Sequence, residues 1–244
     1  MTGPLRDEAA RAAACRQAGL GALDAAELSR ISIPVSLAGG SVDVLTGINR
    51  PGRWPELAEQ KVGEVLRICR SWAEHVVVDV AGPLERDEEI VSDLDGPRRN
   101  GATLAALRSA DLVVAVCAGD PVGVARFVRA HAELRATIGS TRVAVVVNRL
   151  RPATLGIDAR GQVRRTLERF AGIEDVWFVP ADPRAADAAA LAARAVSDIA
   201  PRSALAAGVR RLMGEAVAPV TRPVTAARPR RRERAALHRV ARSA

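Results

Sequence analysis

Residues 74–82, EHVVVDVAG, set four valines around one acid, Asp79. A β-branched apolar run of this kind reads as a buried strand that delivers the Asp79 carboxylate to its carboxyl end. In nucleotide-binding α/β proteins an acid so placed faces a phosphate-bound Mg²⁺, near a lysine in a glycine-rich loop. The chain has one lysine, Lys61, and it lies in EQKVGEV. Asp79 fits a Mg²⁺-water or switch role, with the small residues after it leaving room for a ligand, and it fits equally the cap of the following turn. The next acids, Glu85, Asp87, Glu88 and Glu89, read as a solvated loop, because adjacent acids of an extended segment cannot all face one ion.

Two further positions have the right residue types. Asn148 directly follows VAVVV and precedes Arg149. Its amide can donate to and accept from a purine edge, and the same residue type commonly serves a strand-exit turn. In FVPADPRAADAA, Pro180 and Asp182 stand at a strand exit; Pro183 suits a first helical turn and Asp182 its N-cap, an arrangement that needs no ligand. Taken in order, the Asn148 and Asp182 loops flank one pocket.

Positioning these groups requires a sheet. Apolar runs at 41–47, 75–80, 111–118, 142–148 and 176–180 alternate with stretches of helical spacing at 55–73, 101–110, 121–137, 158–171 and 183–196. Strands alternating with helices of that length imply right-handed βαβ units and a parallel sheet. The expectation is therefore a three-layer, doubly wound α/β domain over 38–217, whose ligands sit beyond the carboxyl ends of the strands. Residues 1–37 are Ala-rich and read as two short helices, and 218–244 reads as a basic, flexible tail.

Composition agrees. The 244 residues are 48% hydrophobic but only 2% aromatic, so the core must be built from Val, Leu, Ile and Ala, as in helix-covered parallel sheets. Three scattered cysteines and three histidines show neither disulfide nor zinc spacing. Acids near the start exclude a signal peptide and no run is long enough to span a bilayer, which points to the cytoplasm. The net charge is +8, but from Val220 onward eight arginines face only Glu233, which places +7 of it in the tail. Arg228, Arg230, Arg231, Arg232 and Arg234 are the densest group there. Without an aromatic for base stacking, any contact with DNA, RNA or anionic lipid should be non-specific and salt-sensitive.

The order VVVDVAGP, SADLVVAVCAGDPVGVARFVRAHAEL, VAVVVNRLRP, VPADPRAADAAALAARAV resembles the MinD/ParA family of P-loop ATPases, particularly the CpaE-like MinD homologues of actinobacteria. The resemblance covers roughly 40–215, and Asn-Arg after a strand and the later Pro-x-Asp-Pro are its most specific parts. It implies ATP and Mg²⁺ as cofactors, a Walker B or switch II role for Asp79, and an adenine border formed by Asn148, Arg149, Pro180 and Asp182. It also implies a homodimer or a family partner, at the periphery of a membrane or nucleoid, in chromosome partitioning, cell division or pilus and secretion assembly.

The sequence departs from the family at its start. The family opens with a strand and a deviant Walker A loop, Lys-Gly-Gly-x-Gly-Lys-Ser/Thr, whose amides and lysines cradle phosphates at a helix N-terminus. Here AGGS at 38–41 has two glycines, no lysine, and leads into a strand. The α/β domain is expected to be N-terminally incomplete, with ATP binding and hydrolysis compromised. A pseudo-ATPase acting as a partner-binding scaffold is the alternative, and translation of the DNA upstream of Met1 discriminates the two.

Overall fold

Valine dominates the strands and aspartate or serine the helix starts, and the computed structural model follows that division. It describes residues 10–48, 50–84, 100–151 and 158–217. The helices are α1 (Ala10–Gly19), α2 (Ala25–Ile31), α3 (Glu59–Trp72), α4 (Gly101–Ser109), α5 (Pro121–Ile138), α6 (Ala159–Ala171), α7 (Pro183–Leu191), α8 (Val196–Ile199) and α9 (Ala204–Leu212), with a 3₁₀ turn at Pro51–Leu57 and a π turn at Met213–Val217. The strands are β1 (Ile33–Leu37), β2 (Gly40–Val44), β3 (Leu112–Ala118), β4 (Arg142–Leu150) and β5 (Val176–Pro180). Four of the helical stretches expected from periodicity return within about four residues of their bounds, whereas 183–196 divides: α7 ends at Leu191, Ala193 has left-handed backbone at φ 48°, and α8 begins at Val196.

β3, β4 and β5 form a parallel sheet in that order, with Leu112 opposite Arg142 and Ala118 opposite Asn148. β4 is central, and Ala144 to Val147 are all buried, because helices cover both faces. On one face Val145, Val147 and Cys117 pack with Val124 of α5 and with Val163 and Leu167 of α6. On the other, Ala144, Val146 and Val179 pack with Leu212 of α9 and with Ala216. A strand buried on both faces reads as a continuous apolar run, which is why VAVVV carries no alternation.

The amino-terminal helices build a second cluster. Val62, Val65, Ile68 and Cys69 line one side of α3 and meet Ala14 and Cys15 of α1 and Leu28 of α2. Ala105 of α4 belongs to the same cluster, so α4 joins it to the sheet. Arg70 at the end of α3 pairs with Asp111 at 3.0 Å and donates to the Ser109 carbonyl, fixing the start of β3. Arg108 of α4 pairs with Glu59 of α3.

Two of the expected strands come out differently. β2 belongs to an antiparallel hairpin with β1 rather than to the parallel sheet. The AGGS stretch is its turn: Leu37 pairs with Gly40 across the two residues Ala38 and Gly39, and Gly40 has φ +143°. The Ala38 N–H donates to the Asp198 carboxylate of α8 at 3.0 Å, and Asp198 also pairs with Arg194. Residues 75–80 form no strand, and Val77 is 92% exposed. Strand propensity measures fit to a pleated, half-buried surface, and no neighbour among the described residues provides one.

The outer edge of β3 is unpaired among the described residues, and Val114 and Val116 on it are 40% and 60% exposed. Open apolar edges recruit other strands. The chain should therefore self-associate, and Val116→Lys should shift it toward the monomer in sedimentation velocity. Its stability should move by no more than about 0.5 kcal/mol, as for other exposed positions. An unchanged sedimentation profile would place the contact elsewhere.

Candidate functional site

The carboxyl ends of β3, β4 and β5 are held together by backbone hydrogen bonds. The Gly119 N–H, just after β3, donates to the Asn148 carbonyl at 2.7 Å, and the Ala181 N–H, just after β5, donates to the Leu150 carbonyl at 3.1 Å. Gly119 is required by this closeness: a Cβ there would lie 2.7 Å from the Leu150 Cα and 3.0 Å from the Asn148 carbonyl oxygen. Between the two links, Arg149 has left-handed backbone, φ +56°, and its N–H donates to the Asn148 side-chain oxygen at 2.8 Å. This kink makes the register shift between Val147 and Leu150. It leaves the Asn148 amide NH₂ uncommitted, because no other hydrogen bond among the described residues uses it.

Helices α5, α6 and α7 begin at this end of the sheet; α6 is capped by Asp158, which accepts from the Gly161 N–H at 3.0 Å, and the starts of α5 and α7 are likewise capped by carboxylates. Asp120 accepts from the Gly123 N–H at 2.8 Å at the head of α5, and Asp182 accepts from the Ala185 N–H at 3.2 Å at the head of α7. Proline occupies the first turn of each. A helix N-terminus attracts anions through its free N–H groups and dipole, but a carboxylate cap already uses that field. None of these termini offers an open phosphate cradle.

Four residues singled out in the sequence therefore meet at one edge: Asn148, Arg149, Pro180 and Asp182. Arg149 is exposed, and Asn148, Pro180 and Asp182 are half-buried. Asp79 lies on the strand-less segment 75–80, exposed and without a hydrogen bond or ion pair to any described residue. Lys61 stands on α3 with its Cε 3.2 Å from where a Gly19 Cβ would be, against the end of α1. Glu85, Asp87, Glu88, Glu89 and the arginines Arg228, Arg230, Arg231, Arg232 and Arg234 lie outside the described residues.

Gly119 and Asp120 are the members of this edge that the sequence reading passed over. The Asp-Pro pair opening α5 is the legible signal for the cap, the same one that marks Asp182. The crowding at Gly119 has no signal in sequence, since it depends on how close β4 comes.

Thiol chemistry is unfavourable beside this edge. Cys117 of β3 is buried, and burial, with a contribution from Asp120, pushes its thiol up to about 11. A thiol so raised stays protonated at neutral pH, the less reactive form. Cys15 is likewise pushed to about 11 by burial despite Lys61 nearby. Among the described residues no three His, Cys, Asp or Glu side chains gather as a metal site, and no helix is long and apolar enough to cross a membrane.

No protein-family model and no curated protein matches the sequence. Solved structures do match. A ParA family ATPase from Chlorobium tepidum TLS is 16% identical over 82% of this chain and 72% of its own, with a TM-score of 0.62. The cell division ATPase MinD of Pyrococcus furiosus is 14% identical over 84% of this chain and 76% of its own, with a TM-score of 0.53. The chain shares the α/β fold of these two ATPases. At these identities the likeness concerns the fold.

The capping and crowding observations give an ordered expectation for stability. Asp182→Ala should cost about 1 kcal/mol and Asp182→Asn much less, since an amide oxygen still caps. Gly119→Ala should cost more, about 1–3 kcal/mol, because the added methyl must push β4 away. Urea denaturation followed by circular dichroism checks the order, and a neutral Gly119→Ala would show that the two strand exits separate easily.

Proposed function

We propose that this chain is a nucleotide-switch protein of the MinD/ParA type, whose base-binding side is the edge formed by Asn148, Arg149, Pro180 and Asp182. The observation that carries this is the linking of three strand exits by the Gly119 and Ala181 hydrogen bonds. Ligands of open α/β sheets bind where such exits gather. In this reading the free NH₂ of Asn148 donates to the purine edge, Pro180 gives an apolar wall, and Asp182 holds its loop through the α7 cap. The residues present fit the base of ATP better than its phosphates: the one lysine, Lys61, packs against α1, and the starts of α5, α6 and α7 all carry Asp caps.

Mg²⁺, when bound with ATP, neutralises phosphate charge, and Asp79 is the residue we assign to orient its water. Asp79 is free for that task, having no partner among the described residues. Each missing charge-assisted phosphate contact forfeits about 1.5–3 kcal/mol, and two or more take a micromolar ligand to millimolar. Weak ATP binding and negligible turnover follow, with the protein acting through a second copy or a partner in positioning or partitioning a chromosome, division site or pilus or secretion apparatus. Isothermal titration of the full chain with Mg·ATP should give a dissociation constant of about 1 mM or weaker, weakened further by Asn148→Ala. A low-micromolar constant would mean that another loop replaces the phosphate cradle. Complete absence of binding would end the nucleotide reading and leave the partner-binding scaffold.

The charge distribution supports a second, separable activity. We assign to Arg228, Arg230, Arg231, Arg232 and Arg234 a non-specific contact with DNA or anionic lipid, since +7 of the +8 charge lies beyond residue 219. Binding to duplex DNA should be measurable at low salt, fall steeply toward physiological ionic strength, and be indifferent to sequence. Deleting 221–244 should abolish it; a truncated chain that binds as well would move the contact to the α/β body.

A further inference from the structure

The free edge of β5 forms the floor of a slot. Among the described residues β5 is bonded only to β4, and a cavity of about 540 Å³ runs along its other side, within the size range of ligand sites. Its walls come from both faces of the sheet: Arg160 and Arg164 of α6 on one side, Ala207, Gly208 and Arg211 of α9 on the other. α9 is seated firmly, because at Gly208 a Cβ would lie 3.2 Å from the Val179 Cα and 3.4 Å from the Phe178 carbonyl oxygen. Pro180 removes one donor from the edge, as edge strands tolerate, and leaves Val176, Trp177 and Phe178 as the open segment.

The charges in the slot are arranged unevenly. The Arg211 guanidinium is spent on Glu215 at 2.9 Å, and Glu215 also accepts from the Trp177 indole N–H at 3.2 Å. Arg160 and Arg164 are exposed and have no ion pair with any described residue; each places its guanidinium 5.7 Å from the centre of the Phe178 ring. Glu174 and Asp175 stand at the start of β5, also without an ion pair among the described residues. One wall therefore offers two stacked cations and one end offers two acids.

We infer that this slot takes an extended peptide segment of a partner protein as an added strand on β5, with acidic side chains at positions i and i+2 paired to Arg160 and Arg164. The spacing supports it: residues four apart on a helix rise about 6 Å, and alternate residues on a strand lie about 6.6–6.8 Å apart. The backbone supplies the ladder and alternate side chains the selectivity, as in other strand additions. A nucleic-acid strand fits less well, because its phosphates would meet Glu174 and Asp175. The slot adjoins the proposed nucleotide edge at Pro180, but its strand segment, Val176 to Phe178, and its two cations, Arg160 and Arg164, take no part in that reading.

Fluorescence anisotropy of the full chain with the labelled peptide Thr-Val-Glu-Val-Glu-Val-Thr tests this. Saturable binding is expected, weakened at least about tenfold by the double variant R160E/R164E, whose exposed positions leave the fold intact by circular dichroism. The same loss is expected when alternate peptide nitrogens are methylated, a change that leaves the protein untouched and removes ladder donors. The proposal is overturned by no binding at millimolar concentration, by equal affinity for the Lys-for-Glu peptide, by indifference to N-methylation, or by a preference for oligothymidylate.

Discussion

β4 is bonded on both edges and covered on both faces, and the rest of the sheet takes its position from that strand. Val147 and Leu167 are fully buried against each other's cluster, so α6 cannot shift without opening the core. The same strand ends in the Asn148–Arg149 kink, which brings the β3 and β5 exits within hydrogen-bond reach. Core and candidate site are thus two ends of one element. What packs at Val145 and Val147 determines where Asn148 presents its amide.

The parallel half of the fold was legible because its signals are local. VAVVV lacks alternation, Asp-Pro pairs open α5 and α7, and α6 repeats apolar residues at Ala159, Val163 and Leu167, all buried. What escaped depends on partners far away in sequence. HVVVDV has the composition of a buried strand, but a strand is a property of pairs, and its valines find no ladder among the described residues. The hairpin β1–β2 failed for the converse reason: SVDV reads as one strand of a parallel set, whereas its antiparallel mate, IPVSL, sits just across a two-residue turn. At the site, Asn148 and Asp182 announced themselves by residue type, while Gly119 matters only through the nearness of Leu150.

The two sides of the sheet present contrasting edges. β3 shows valines and no charge along its exposed row, the composition that invites non-selective pairing. β5 ends in proline and is bordered by arginines, acids and an indole, the kind of edge that discriminates among partners. The two edges of one sheet are thus two chemically different surfaces for assembly.

The bond from the Ala38 N–H to Asp198 spans 160 residues of sequence, and it has a kinetic meaning. Contacts so remote can form only after the chain between them has collapsed, whereas β1–β2 and the βαβ units close locally. The entropy of that closure grows only with the logarithm of the loop, so the contact is affordable once the sheet exists. The hairpin should therefore fold early as a local unit and be docked late, its amides among the first in the chain to exchange with solvent when the carboxyl-terminal helices loosen.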